Sequence, residues 1–171
     1  DKACALAGGI DITAVAMDDK KTYEMLASGD ATGVFQFESS GMREALRQVK
    51  PTEFDDLVAL VALYRPGPMS YIPTYGARKH KREGVSFLDP RLKSITGPTY
   101  GICIYQETYM EIAKQLAGFS PAEADDLRKA IGKKNHTLMA SLKEKFLDGC
   151  LANGVSASVA KQLWEDTEKS Q

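Results

Sequence analysis

The sequence is organised around residues 118–134, which read GFSPAEADDLRKAIGKK. This stretch contains the signals for one complete short helix. Ser120 is suited to cap the N-terminus, Pro121 to take the first helical position, and Glu123 to close a capping box on Ser120. Gly132 is predicted to supply the left-handed residue that ends the helix. The segment therefore predicts a helix whose far end carries a cluster of basic residues.

The helix has an apolar stripe at 3.6-residue spacing, formed by Ala124, Leu127 and Ile131. At 100° per residue, Lys129 points almost directly away from this stripe and Arg128 lies on its flank. Two interpretations are open. Lys129 is spaced to pair with Asp125 at i,i+4, and cations in a last turn complement the helix dipole. Alternatively, the basic end binds an anion outside the helix.

Composition limits the possible classes of protein. A chain of 171 residues with 43% hydrophobic and 26% charged residues is typical of one globular domain, or of one domain with an extension. The net charge is −1, so a polyanionic partner would have to bind local basic patches. The start of the chain is no signal peptide and no apolar run is long enough to span a membrane, so we expect a cytoplasmic protein without a membrane partner.

Metal binding is not expected. The three cysteines (Cys4, Cys103 and Cys150) are far apart and form no CxxC pair, which favours reduced thiols over a zinc site. Three pairs of adjacent aspartates occur at 18–19, 55–56 and 125–126, but neighbours on a helix diverge by 100°, and acidic residues favour the first turns. Motifs for nucleotide-binding loops, zinc proteases or serine hydrolases are also absent, so the sequence predicts no catalytic residue in this chain.

The rest of the chain predicts a mainly α fold. We expect residues 1–17 to be a connector and residues 18–171 to be a multi-helix domain, whose first helix turns Tyr23, Met25 and Leu26 inward. Residues 32–38 alternate as a short strand, with Val34 and Gln36 on one face and Phe35 and Phe37 on the other. Residues 100–105 predict a second brief β segment. Further helices are predicted at 42–49, from Pro51 to Tyr64, after Tyr105, from His136, and after Ser156, and the one after Tyr105 has a core-facing stripe formed by Tyr105, Tyr109, Ile112, Ala113 and Leu116.

Basic and polar residues recur in separate segments and suggest a surface for phosphates. Arg65 is held on a stiff Arg-Pro-Gly-Pro corner, and a helix N-terminus with free amides follows Ser39 and Ser40. The remaining candidates are Arg43 and Arg47, one turn apart; the basic run Arg78, Lys79, Lys81 and Arg82; and Gln106, which could reach into a cleft. Helix capping and solvated charged faces explain each of these features as well.

Four motifs together resemble one known family. They are GVFQFESSGM at 33–42, LVALYRPGP at 60–68, PTYGICIYQE at 98–107 and LRKAIGKK at 127–134. In this order they resemble the fingers region of the α subunit of bacterial DNA polymerase III, the C family of replicative polymerases. The likeness covers nearly the whole chain. It implies a helical fingers domain over residues 18–171, truncated before the β-binding region.

The resemblance implies a role in template-directed DNA synthesis, in which a primer 3′-hydroxyl attacks the α-phosphate of a deoxynucleoside triphosphate (dNTP). In the family, Mg²⁺ is held by palm aspartates upstream of residue 1, so the fragment would bind no cofactor and be inactive by itself. Arg128 and Lys129 match the family's paired arginines at the triphosphate. Because Lys129 replaces an arginine it loses bidentate geometry. Thr108, Asn135 and His136 also depart from the common pattern.

Lesser contacts are implied as well. We expect Lys133 and Arg65 to assist at the dNTP phosphates. Template–primer DNA would be contacted by Arg43, Arg47, Arg78, Lys79, Lys81 and Arg82, with Gln106, Ser39 and Ser40 lining a cleft. The implied partners are DNA, dNTP, the palm, thumb and β-binding region of the same chain, the sliding clamp and other replisome subunits. Two alternatives stay open: a free-standing helical nucleic-acid-binding module, and a structural helical adaptor.

Overall fold

The structure, a computed structural model, describes residues 2–170, and all regular secondary structure in this range is helical. The mainly α prediction is therefore confirmed. The α-helices of this range are α1 (Lys2–Leu6), α2 (Lys20–Ala27), α3 (Ser40–Val49), α4 (Phe54–Leu63), α5 (Ile72–Lys79), α6 (Leu92–Thr96), α7 (Gln106–Ala117), α8 (Pro121–Gly132), α9 (His136–Ala152) and α10 (Ala157–Lys169). Short 3₁₀ turns occupy Ile12–Ala14, Pro68–Tyr71 and Gly97–Thr99.

The chain divides into two compact units between Val58 and Ala59, a boundary that falls within α4. In the first unit, α2 packs against α3 and buries Tyr23, Leu26, Met42 and Leu46. Met25, predicted to point inward, is 40% exposed, so that prediction was wrong. Its position, two residues after Tyr23, turns it about 200° away from Tyr23 around the helix.

The second unit is built on α7, which packs against α8 and α9, while α9 also packs against α10. The predicted stripe of α7 is confirmed as core, with Ile112, Ala113 and Leu116 nearly inaccessible. Trp164 of α10 and Phe146 of α9 meet with ring centroids 5.2 Å apart. These contacts fix the position of α8, the helix that carries the basic end.

The predicted capping box of α8 is confirmed. Asp19, Ser39, Ser120 and Ser156 each accept a hydrogen bond from the amide three residues on, and Glu123 completes the capping box of α8. Gly132 was wrongly assigned. It is the last residue of α8, the C-cap is Lys133 at φ −97°, and the left-handed residue is Lys134 at φ 50°.

The two predicted β segments were wrong. Residues 32–38 form consecutive turns, in which the Val34 amide donates to the Ala31 carbonyl at 3.1 Å and the Phe37 amide donates to the Val34 carbonyl at 3.0 Å. Residues 102–104 have no regular secondary structure, and no strand is formed within residues 2–170. An alternating pattern needs a ladder partner to become a strand, and a helical fold of this kind supplies none.

Candidate nucleic-acid interface

The basic end of α8 contains its own counterions. Asp125 accepts a hydrogen bond from Arg128 Nε on Oδ1 and pairs with Lys129 Nζ on Oδ2, each at 2.9 Å. Asp126 Oδ1 lies 3.3 Å from the same ammonium group. Pairing with Lys129, and then with Arg128, holds the pKa of the Asp125 carboxyl below its ordinary value. Asp125, and then Asp126, raises the pKa of Lys129. The ion pair predicted between Asp125 and Lys129 is confirmed.

Two further cations follow directly after these pairs. Lys133 and Lys134 are exposed, and neither side chain makes a hydrogen bond or ion pair with another residue of 2–170. Lys134 was missing from the predicted site, although it belongs to the same GKK sequence and could have been included on that ground. At this helix end, Lys133 and Lys134 are therefore the cations that have no counterion among residues 2–170.

The side-chain amide of Gln106 lies directly over the end of α8. A Cβ placed on Gly132 would stand 3.2 Å from Gln106 Nε2 and 3.8 Å from Oε1. Gln106 is the first residue of α7, so the N-terminus of α7 meets the C-terminus of α8 at this point. The predicted cleft residue Gln106 and the predicted phosphate ligand Lys133 are therefore brought to the same end of these helices.

The opposite end of α8 is anchored to α9. The Glu123 carboxylate receives hydrogen bonds from Lys145 Nζ and from the amide and hydroxyl of Ser120. Lys145, and then Ser120, lowers the pKa of Glu123 to about 2. Lys145 Nζ also lies 5.9 Å from the centre of the Phe119 ring. These contacts fix the axis along which the basic residues are presented.

Arg65 lies where the sequence predicted, on the corner that ends α4. Its amide donates to the Leu63 carbonyl at 2.8 Å, and Gly67 has φ +92°. The Arg65 side chain is exposed, and within residues 2–170 it has no hydrogen-bond or ion-pair partner. That it acts together with the basic end of α8 stays a prediction.

Arg78 has contacts inside the protein. Its Nε pairs with Glu83 Oε1 at 2.9 Å, its Nη1 donates to the Tyr100 carbonyl at 3.0 Å, and its side chain is only 19% exposed. It therefore ties the end of α5 to the segment before α7. Lys79 is half-buried, whereas Lys81 and Arg82 are exposed.

A cleft of about 700 Å³ in the second unit includes Arg78 in its wall. Sequence reasoning missed this cleft, whose lining also includes Tyr71, Thr74, Cys103, Tyr109 and Lys169. Its charges are balanced, because Arg78 pairs with Glu83 and Lys169 Nζ lies 3.8 Å from Asp166 Oδ1. Burial raises the pKa of the Cys103 thiol to about 12, so the thiol is neutral at physiological pH. The cleft offers neither an excess of cations nor a thiolate.

In the first unit, Arg43 and Arg47 bind the C-terminal end of α2. Arg43 Nε donates to the Gly29 carbonyl at 2.8 Å and Arg47 Nε donates to the Ser28 carbonyl at 3.2 Å. Helix C-terminal carbonyls lack intrahelical donors, so these bonds have a structural purpose. Ser39 caps α3 through its hydroxyl, and Ser40 is the exposed first residue of that helix.

The metal-ligating side chains of the described residues lie apart from one another. Within residues 2–170, no three His, Cys, Asp or Glu side chains converge in a way that could hold an ion. The donor side chains of residues 2–170 therefore do not fit a catalytic Mg²⁺ site.

The described residues thus form a helical domain in which cations lie at the junction of two helix ends. Comparison with known proteins identifies its family. Residues 3–154 match the family described as the bacterial DNA polymerase III alpha subunit finger domain, and the chain belongs to that family. This match confirms the resemblance to that family.

Relatives in bacteria agree with this assignment. The chain is 48% identical over 156 residues to the DNA polymerase III subunit alpha of Staphylococcus epidermidis (strain ATCC 12228), covering 91% of this chain and 15% of that protein. It is 48% identical over 165 residues to the same subunit of Aquifex aeolicus (strain VF5), covering 94% of this chain and 14% of that protein. The chain thus spans about one-seventh of the length of these relatives. Among residues 2–170, no helix combines the length and apolar character needed to cross a bilayer.

Proposed function

We propose that this chain is the fingers domain of a bacterial replicative DNA polymerase and that it contacts the triphosphate of the incoming dNTP through the end of α8. Arg128 and Lys129 would bind phosphate oxygens first, with Lys133 and Arg65 assisting. The observation that carries the proposal is the end of α8, where two paired cations are followed by the unpaired, exposed Lys133.

The ion pairs to Asp125 are compatible with this role. Arg128 and Lys129 are 39% and 46% exposed, and exposed pairs contribute little to stability because water screens them. A triphosphate carries several negative charges and can therefore displace one carboxylate from two cations. Before a triphosphate binds, Asp125 keeps the side chains of Arg128 and Lys129 on one face of α8. Such preorganised cations stabilise the charge that develops on phosphate oxygens during transfer.

The chain would act within a longer polymerase. We propose that the rest of that chain supplies the catalytic residues and the Mg²⁺, that the isolated fragment is inactive, and that residues 1–17 connect it to the preceding region. Template–primer DNA would pass near Arg43, Arg47, Arg78, Lys79, Lys81 and Arg82. Ser39, Ser40 and Gln106 would line the edge of the substrate cleft. The sliding clamp and other replisome subunits would be partners of the whole enzyme in the cytoplasm.

The test is steady-state primer extension by the full-length polymerase. Replacing Arg128 with Ala should raise KM for dNTP or lower kcat, since a contact to the triphosphate is lost. Lys161, an exposed lysine of α10 with no side-chain partner in residues 2–170, provides the control variant Lys161→Ala. Kinetics that are equal for both variants and the wild type would remove Arg128 from the nucleotide site.

A further inference from the structure

Phe35 is unusual among the aromatic side chains of this protein because it is 82% exposed. Its neighbour Phe37, two residues away, is buried at 9% exposure. The turns of residues 31–37 separate the two rings, with one facing the core of the first unit and the other facing solvent. A phenylalanine ring forms no hydrogen bonds with water. Solubility therefore does not explain why this side chain is exposed on a turn.

The turns hold Phe35 in a defined position. Ala31 and Phe37 are both buried, and hydrogen bonds from the Val34 and Phe37 amides close the backbone between them. Gln36 has φ 67°, a left-handed conformation that costs free energy in a residue other than glycine. The surrounding fold therefore imposes this geometry and presents the ring outward.

The surroundings of Phe35 along the chain are polar and small. The residues flanking it are exposed and include Thr32, Gly33, Gln36, Glu38, Ser39 and Ser40. A Cβ added to Gly33 would meet no atom within 4 Å, so the space beside the turn is open. By contrast, Phe54 and Val58 lie one helical turn apart on α4 and are both exposed.

These differences favour a nucleobase over a protein surface as the partner of the exposed Phe35 ring. The core of a protein interface is built on contiguous apolar area, whereas base stacking uses the face of a single aromatic side chain. We propose that Phe35 stacks on an unpaired base of the template strand. The inference rests on the proposed function, because it takes single-stranded template DNA to be a partner of the polymerase.

The experiment uses the full-length polymerase and template–primers that carry 5-iodouracil at one of the first four unpaired template positions. Ultraviolet irradiation links this base to an aromatic side chain stacked on it, and mass spectrometry identifies the linked residue. We expect one template position to give a cross-link to Phe35. The cross-link should persist with Phe35→Tyr and disappear with Phe35→Leu.

Equilibrium binding supplies the second readout. Phe35→Leu should raise Kd for a template–primer with a four-nucleotide overhang by about 5-fold to 150-fold, the range measured for loss of one base–aromatic stack. Phe35→Tyr and Phe35→Trp should stay within about twofold of the wild type, because both keep an aromatic face. Kd for a duplex without overhang should not change. Phe54→Leu, the same change at another exposed phenylalanine, should leave both values and the cross-link unaltered.

Either of two results would overturn this inference and leave the proposed function standing. One is normal binding of template–primer with no cross-link to Phe35 from any of the four positions. The other is a pattern in which Phe35→Leu keeps the wild-type affinity while Phe35→Trp loses it, which identifies apolar packing against protein. A polymerase that binds no template–primer at all would overturn the proposed function and, with it, this inference.

Discussion

Asp125 and Lys129 lie one helical turn apart on α8, with Oδ2 and Nζ separated by 2.9 Å and with both side chains more than a third exposed. Their pairing gives Lys129 a raised pKa, so the ammonium group keeps its proton throughout the physiological range. The same carboxylate would compete with a phosphate for the ammonium group. Asp125 therefore both orients the proposed ligands and opposes the binding of nucleotide.

Neutralising Asp125 should strengthen nucleotide binding. Asp125→Asn keeps an oxygen acceptor for Arg128 but removes the competing charge, so we expect KM for dNTP in the full-length polymerase to fall about twofold to fivefold, in keeping with an exposed ion pair. Steady-state primer extension measures the change. Asp148→Asn, at an exposed aspartate of α9, is the control and should leave KM unaltered. A rise in KM with Asp125→Asn would contradict competition and make Asp125 chiefly an orienting residue.

Gly149 should be intolerant of any side chain. A Cβ on Gly149 would overlap the Ala117 carbonyl oxygen and stand 2.9 Å from the carbonyl carbon, so α7 and α9 approach each other here through their backbones. Gly149→Ala should lower the free energy of unfolding by about 1–3 kcal/mol, because the helices must separate. Chemical denaturation of the 171-residue chain measures this. Gly84→Ala, where a Cβ meets nothing within 4 Å, should differ by less than about 0.5 kcal/mol. Equal stabilities of Gly149→Ala and Gly84→Ala would contradict the close approach of α7 and α9.

Arg78 should matter more for stability than the exposed arginine beside it in the same basic run. Arg78→Ala removes the bonds to Glu83 and to the Tyr100 carbonyl, and we expect a loss of about 1–3 kcal/mol, as for hydrogen bonds made by a charged group. Arg82→Ala, at an exposed position, should cost less than about 0.5 kcal/mol. Urea unfolding of the two variants separates these values. Matching losses would mean that the Arg78 contacts contribute nothing specific.

The stability that Glu123 contributes should disappear in acid. The pKa of Glu123 is about 2 in the folded protein against an ordinary value of 4.5, so the contribution is complete above about pH 4.5 and is lost as pH falls towards 2. At pH 6 we expect the wild type to have a higher melting temperature than Glu123→Gln. The two melting temperatures should converge as pH approaches 2. Glu144→Gln, at an exposed position of α9, is the control. A difference between wild type and Glu123→Gln that does not vary with pH would rule out this linkage.

Local signals explain why much of the fold could be predicted from the sequence. Caps such as Ser120 and Ser156 act on amides within three residues, and the stripe of α7 needs only helical spacing, so both are readable from a short stretch. The pair between Asp125 and Lys129 is local for the same reason. The family follows from four short motifs, each read within its own segment.

The wrong or missing predictions concern contacts between distant segments. Gly132 was taken as a left-handed residue, but its lack of a Cβ accommodates Gln106, 26 positions earlier in the sequence. The bonds of Arg43 and Arg47 to the Gly29 and Ser28 carbonyls, just after α2, were not foreseen, while their contact with DNA stays a prediction. No prediction was made for Gly149, which lies within α9. Its partner Ala117 could be found only from the packed structure.

The most direct test of the central claim is single-turnover nucleotide incorporation by the full-length polymerase, measured against dNTP concentration on a preformed enzyme–DNA complex. For the double variant Arg128→Ala/Lys133→Ala, we predict a higher apparent Kd for dNTP, or a lower maximal rate, with unchanged affinity for the template–primer, whereas Lys161→Ala should match the wild type. Wild-type nucleotide dependence in the double variant would contradict the claim that the end of α8 binds the triphosphate.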